Sequence, residues 1–285
     1  MARIPGGDGV SSTVVDHADL PPLRLSGRPR RLVPMVVAYE PIPEAVSLEG
    51  GSTFRFLMEP VTAVAVVFDE GWVIVDGGFD PARIRDRATR TASFDYENYT
   101  PIVPPGDPLV DQLAEAGLEL ADLAAALLTH SHFDHTGAAR LLTPDQPLLL
   151  QRREWQHVRE TTDARGNFLF RADLDRDGLT LGLLDGDTPL AAGLTAIDTS
   201  GHTPGHQSFV VELPARTVVL AGDAADLLDN VEREVRCGST VGVDGPELAD
   251  RAISRLASLH RAPSSEVWPA HDPGFPVWTG VIASR

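Results

Sequence analysis

The seven residues from Thr129 read Thr-His-Ser-His-Phe-Asp-His, a dense concentration of groups that bind metals. His130, His132 and His135 offer imidazole nitrogens and Asp134 a carboxylate, donors that suit divalent transition metals. His130 and His132 flank one residue. At a strand end alternate side chains point the same way, so both imidazoles can converge on one ion. Asp134 and His135 come where the chain turns and can face a second ion beside the first. Three histidines and an aspartate within six residues crowd one another at a folding cost unless a cation compensates.

The remaining donors must come from other loops, and three candidates sit at predicted strand ends. His202 lies in Ser200-Gly201-His202-Thr203-Pro204-Gly205-His206, where glycines and proline set a tight loop. Asp223 ends the run Val218 to Gly222, and its two oxygens could bridge two cations. His271 follows Val267-Trp268-Pro269-Ala270. Cys237 is the single cysteine, so no disulfide or thiolate cluster is available within the chain and it is expected to be an inert small hydrophobe. His206 is expected to shape its loop by hydrogen bonding. His17, His157 and His260 carry no supporting pattern and are assigned to surface or helix-face positions.

The elements that must position these groups alternate between strand and helix signals. Val61 to Phe68 and Trp72 to Val75 flank Asp69-Glu70-Gly71 and predict a β-hairpin, whose second strand runs into Asp76-Gly77-Gly78. Pro108 to Ala116 has helical spacing. Leu123 to Thr129 is an apolar run delivering the chain into His130, with a helical stretch from Gly137 to Leu142 after the motif. In the second half, Leu194 to Ile197, Phe209 to Leu213 and Thr217 to Ala221 predict strands, Pro246 to His260 a helix and Glu266 to Pro269 a last strand. Leu248, Ala252, Ile253, Leu256 and Leu259 share one face of that helix, which should pack on a sheet. The fold class is therefore mixed α/β. An N-terminal arm over 1–30 and one domain over 31–285 are expected.

Composition narrows the partners. With 42% hydrophobic and 23% charged residues, the 285-residue chain can bury a large core. A net charge of -17 disfavours nucleic acid and anionic membranes, and the one basic patch, Arg24, Arg28, Arg30 and Arg31, reads as a solvated arm. No apolar run is long enough to span a bilayer and no leader pattern follows Met1, so cytoplasmic residence is expected by default. The oligomeric state is left open, a homodimer included.

His130 to His135 matches the His-x-His-x-Asp-His signature of the metallo-β-lactamase superfamily, and His202, Asp223 and His271 complete its pattern. The resemblance covers roughly Val61 to Asp272. It implies an αββα sandwich of two mixed β-sheets flanked by helices, with the metals at one edge. One ion would be held by His130, His132 and His202, the other by Asp134, His135 and His271, with Asp223 bridging. Within the superfamily, Ser131 to Gly137, Gly201 to Ser208 and Ala270-His271-Asp272 look most like the N-acyl-homoserine-lactone lactonases. Zinc β-lactamases that hydrolyse antibiotics use a cysteine where this chain has Asp223. The lactonases resembled commonly carry a tyrosine three residues after the bridging aspartate, where it contacts the lactone carbonyl. Here that position is Asp226, which is either a replacement catalytic group or the start of a solvent-facing turn.

The expected activity is opening of a lactone, an N-acyl-homoserine lactone or similar cyclic ester, by a hydroxide bridging two divalent ions. Two cations roughly 3.5 to 4 Å apart bring the pKa of such a water near neutrality. Zinc is the expected ion, although iron, manganese or cobalt would also suit these donors. Asp134 would shuttle the proton to the leaving alkoxide. Met35, Phe54, Phe56, Met58, Phe94, Tyr96, Phe168 and Phe170 are candidates for an acyl-chain pocket. The alternatives are another ester or thioester hydrolase of the same fold, an iron-dependent redox member, and a nucleic-acid-processing member, the last disfavoured by charge.

Overall fold

The structure, a computed structural model, describes residues 11–93 and 101–283. Its strands are β1 (Thr13–Asp16), β2 (Arg31–Pro43), β3 (Phe56–Val67), β4 (Trp72–Val75), β5 (Leu123–Leu127), β6 (Leu148–Gln151), β7 (Thr180–Leu184), β8 (Thr188–Ala191), β9 (Leu194–Asp198), β10 (Gln207–Glu212), β11 (Thr217–Leu220) and β12 (Ser265–Trp268). They form two sheets. The larger runs β1-β7-β6-β5-β4-β3-β2 and the smaller β12-β11-β10-β9-β8. Pairing is parallel from β1 through β4 and antiparallel across β4-β3-β2. In the second sheet only β11 and β12 are parallel.

Period-two alternation decides the layering. Val61, Ala63 and Ala65 on β3 enter a core with Ile74, Leu113, Leu123, Leu148, Trp155 and Leu181, on the helix-covered side of the large sheet. The alternate residues Val64 and Val66 join Val73, Val75, Leu127 and Leu149 against Leu194, Phe209, Val211, Val218 and Trp268 of the small sheet. The third core lies outside the small sheet, where Val219 and Val267 meet Val231, Ala252, Ile253 and Leu256. Helix, sheet, sheet and helix are thus stacked in that order, the αββα arrangement the resemblance implies.

The helices are α1 (Glu44–Ser47), α2 (Pro81–Arg85), α3 (Arg87–Ser93), α4 (Pro108–Glu115), α5 (Arg152–Glu160), α6 (Arg171–Leu174), α7 (Leu228–Arg233), α8 (Gly245–His260) and α9 (Pro276–Ala283). Proline in the first turn and an Asp107 side chain accepting from Val110 N–H start α4; such a cap stabilises by about 0.5–2 kcal/mol. On α8, Ala252, Ile253 and Leu256 are buried as expected, joined by Ala249 and Ala257, whereas Leu248 and Leu259 are only half-buried. Among the described residues, no helix is long and apolar enough to cross a membrane.

The hairpin forms as β3 and β4, but β3 starts earlier and its other partner, β2, is absent from the sequence reading. Pro34, Pro41 and Pro43 argue against a strand there. They are tolerated because β2 is the edge of the sheet, where prolines need donate to no neighbour. Thr13–Asp16, within the expected arm 1–30, pairs with β7. The basic patch is exposed and locally neutralised, with Arg24 facing Asp145, Arg28 facing Glu212 and Arg30 facing Asp69.

Candidate metal centre

Every expected donor arrives from a loop beyond the C-terminal end of a strand. β5 ends at Leu127 rather than Thr129, so His130 and His132 converge through loop geometry and not through strand alternation. His135 caps a 3-10 turn over Thr136–Leu141. His202 lies between β9 and β10, Asp223 in a 3-10 turn over Gly222–Ala224 after β11, and His271 after β12. The two sheets therefore deliver their donors to one edge.

The donors form two buried groups in which the ligand atoms lie within 4.8 Å of one another: His130, His132, His202 and Asp223, and Asp134, His135, Asp223 and His271. Asp223 belongs to both and is divided between them. Its Oδ2 is 3.5 Å from His130 Nε2 and 3.4 Å from His202 Nε2, while its Oδ1 is 3.2 Å from His135 Nε2 and 3.0 Å from His271 Nε2. His202 Nε2 and His132 Nδ1 are 3.1 Å apart, and Asp134 Oδ2 is 3.2 Å from His135 Nε2.

Whether these residues fit divalent ions is tested by their unused atoms. His130 Nε2 and His135 Nε2 are buried and have no hydrogen-bond partner among the described residues, although imidazoles crowd around them with ring centroids 4.2 Å apart. Buried polar atoms are nearly always paired. The opposite ring nitrogens are held: His135 Nδ1 by Asp76 Oδ2 at 2.9 Å, His202 Nδ1 by the Ser239 carbonyl at 3.1 Å, His271 Nδ1 by the Pro60 carbonyl at 2.9 Å. Each such acceptor takes an Nδ1 proton and leaves the Nε2 lone pair facing the centre, the tautomer a metal needs. The donor set fits two cations.

Electrostatics point the same way. Burial, then neighbouring imidazoles, hold His130 well below its ordinary pKa and His132 at about 3, keeping both neutral. For His135 burial works downward, but Asp134, Asp223 and Asp76 outweigh it and push the group well up; His271 is raised likewise, chiefly through Asp223. Burial also opposes ionisation of Asp223, yet His135, His271 and His130 hold it well below the carboxylate range. Without metal, positive charge gathers on His135 and His271, beside the carboxylate that both clusters share.

Two carboxylates missing from the sequence reading hold these loops. Asp76, after β4, accepts from Thr129 N–H, the Thr129 hydroxyl and His135 Nδ1. Its left-handed backbone (φ 56°) beside two glycines is the signal that could have revealed it. Glu154 on α5 is fully buried and joins the His130 loop to the His202 loop. Its Oε1 accepts from Ser131 N–H and hydroxyl, its Oε2 from the Thr203 hydroxyl and Gly205 N–H. A Cβ on Gly205 would stand 2.1 Å from Glu154 N, so the close approach requires glycine. No local pattern marks Glu154.

The centre opens on a cavity of about 540 Å³ lined by His132, Asp134, His202, Asp223 and His271, by Ile42, Pro43, Val46, Phe133 and Phe168, and by Glu40, Glu59 and Asp226. Of the expected pocket aromatics among the described residues, only Phe168 lines it. Met35 and Phe170 are buried in the core because their strand and turn face the helix layer, Phe54, Phe56 and Met58 are exposed beyond it, and Phe94 and Tyr96 lie outside the described residues. Asp226 is buried rather than on a solvent-facing turn. Burial, then Asp223 and Glu59, push its carboxyl well up, and burial brings Glu59 to about 7. His206 bonds Thr199 through Nδ1 and belongs to neither cluster. His157 and His260 are half-buried on helices, bonded to Thr161 and to Val267 N–H respectively. Burial pushes the Cys237 thiol well up, which keeps it unreactive.

Residues 58–240 match the family model of the metallo-β-lactamase superfamily, and the chain belongs to that superfamily. It is 30% identical over 224 residues to the N-acyl homoserine lactonase AttM of Agrobacterium fabrum, spanning 75% of this chain and 82% of that protein. It is 29% identical over 219 residues to the N-acyl homoserine lactonase AiiA of Bacillus thuringiensis subsp. kurstaki, spanning 76% and 83%. The fold matches a solved N-acyl homoserine lactone hydrolase with N-hexanoyl-L-homoserine bound at its catalytic metal centre. That match has a TM-score of 0.73 at 24% identity and covers 87% of this chain and 95% of the other.

Proposed function

We propose that this protein is a metal-dependent hydrolase that opens a lactone ring, an N-acyl homoserine lactone or a similar cyclic ester. The observation that carries the reading is the pair of buried His/Asp clusters sharing Asp223 at the base of a substrate-sized cavity. Its curated relatives, named as lactonases, support the choice of ester.

His130, His132 and His202 would hold one divalent ion and Asp134, His135 and His271 the other, with Asp223 between them; zinc suits this donor set. When bound, such a pair lowers the pKa of water toward neutrality and polarises a carbonyl oxygen. The chain's own groups do the rest. Asp134 directs Oδ2 toward His135 and His271, at 3.2 and 3.8 Å, which leaves Oδ1 to carry a proton from the attacking water to the ring alkoxide. Ring opening then yields a hydroxy acid. The Nδ1 acceptors on His135, His202 and His271 hold the imidazoles in the ligating tautomer. Asp226 lines the cavity outside both clusters, a position from which it would contact substrate.

A pH-indicator assay over lactones, linear esters and thioesters, with metal-replete and chelated protein, tests the proposal. Lactone opening should be fastest, should vanish on chelation and should return with zinc. His130→Ala and Asp223→Ala should lose activity and metal together. Full activity in metal-free protein, or esters preferred over every lactone, refutes it.

A further inference from the structure

Glu40, Glu59 and Asp226 are buried carboxyl groups outside both metal clusters that line the same cavity, and Asp163 is an exposed one. Glu40 and Glu59 are direct partners across the β2–β3 ladder, so their side chains leave the sheet on one face. Asp226 follows Asp223 past the 3-10 turn. Glu40, Glu59 and Asp226 are 5%, 3% and 4% exposed. The Ser47 hydroxyl donates to Glu59 Oε1 at 2.6 Å. The same hydroxyl also lies against the carboxyl of Asp226, a cavity-lining residue whose Oδ1 is buried with no hydrogen-bond partner among the described residues. Facing carboxylates repel, and a buried carboxylate oxygen without a partner is costly. Asp163 and Arg165, of opposite charge, line the exposed part of the cavity wall.

We infer that Glu59 and Asp226, with Glu40 beside them, form a subsite for a cationic group of the substrate: a protonated amine within a few bonds of the carbonyl that is attacked. Among cyclic esters, those that carry a protonated amine beside the ring carbonyl are then preferred over uncharged ones. The inference rests on the hydrolase reading above for the position of the carbonyl. An ammonium brings three donors to a wall of acceptors, and the surrounding Ile42, Pro43, Val46 and Phe168 lower the dielectric in which the charges attract. A neutral ligand brings no charge to offset the crowded carboxyl groups, so the site discriminates by leaving that repulsion in place as well as by binding the right ligand.

The test has a kinetic and a binding arm, both on zinc-loaded protein with metal content measured. Kinetics compare α-amino-γ-butyrolactone with unsubstituted and N-acylated γ-butyrolactone. Calorimetry compares cyclopentylammonium with cyclopentanol. The expected result is a preference of at least about tenfold for the ammonium in both arms, equivalent to about 1.4 kcal/mol, and a fall of that ratio toward one in Glu59→Gln and Asp226→Asn with metal retained. If no lactone is opened but cyclopentylammonium still binds tenfold tighter than cyclopentanol, the lactonase reading falls and the subsite stands. Equal binding of the two by the wild-type protein overturns the subsite and assigns the carboxylates to balancing the metal charge. So does a preference unchanged in both variants.

Discussion

Replacing Glu154 with glutamine tests how the two histidine loops are joined. The carboxylate accepts from Ser131 N–H at 2.9 Å, the Ser131 hydroxyl, the Thr203 hydroxyl at 2.8 Å and Gly205 N–H at 3.0 Å. In Glu154→Gln one of the two oxygens becomes an NH₂ donor. Turned toward the His202 loop, it can satisfy the Thr203 hydroxyl, which rotates, but not Gly205 N–H, which cannot; turned the other way it strands Ser131 N–H. One buried N–H loses its partner, at about 1–3 kcal/mol, and the surviving bonds lose their charge assistance, at about 1 kcal/mol or more. The sum is roughly 2–5 kcal/mol, or a fall in Tm of roughly 4–10 °C for a chain of this size. Calorimetry of the metal-free protein reads this directly, without contribution from the ion. Zinc titration should in addition show weaker binding, by about 10–100-fold, since the loops no longer hold His130 and His202 in register. A metal-free Tm within about 1 °C of the wild type, which corresponds to about 0.5 kcal/mol, would refute the claim that Glu154 fastens the loops.

Asp76→Asn presents an NH₂ or a weaker acceptor to His135 Nδ1, so the tautomer with Nε2 free is no longer enforced. The second zinc ion should bind about 10–100-fold more weakly, measured by competition with a chromophoric chelator, and a change of less than threefold would count against the tautomer argument. Gly205→Ala puts a Cβ 2.1 Å from Glu154 N and should destabilise by about 3 kcal/mol, the upper range for overpacking; denaturant midpoints unchanged from wild type would show that the loop yields. His206 is buried with its pKa lowered by burial from 6.5 to about 3. Unfolding therefore takes up a proton between those values, and the stability is fully present above pH 6.5 and lost as pH falls. At pH 5 the loss from this residue is about 2 kcal/mol. Metal-free His206→Gln should show a stability-against-pH slope about one proton shallower over pH 4–6, and an identical slope would refute the assignment.

The donors themselves were legible because the motif is local. His130 to His135 sit within one loop, and His202, Asp223 and His271 each follow an apolar run that does form a strand. Strands such as β9, β10 and β11 were found to within a residue or two because alternate burial writes itself into a short window. β2 was not. Its prolines are allowed only because it is an edge strand, and edge position depends on which strands pair, not on the window. The partition of Asp223, with one oxygen toward His130 and His202 and the other toward His135 and His271, likewise needed the two sheets to be stacked.

By itself, then, the sequence determined which side chains could ligate metal and that the apolar runs leading into them become strands, since both follow from residue type and short-range spacing, whereas β1, β2, β6, β7 and β8 were not legible in it. Only the tertiary structure decided what surrounds them. Asp76, Glu154, Glu59 and Asp226 reach the centre from β4, α5, β3 and the turn after β11, segments distant from most of the groups they touch. The forces that act on them, burial, repulsion between carboxylates and buried hydrogen bonds, depend on neighbours that chain order does not supply.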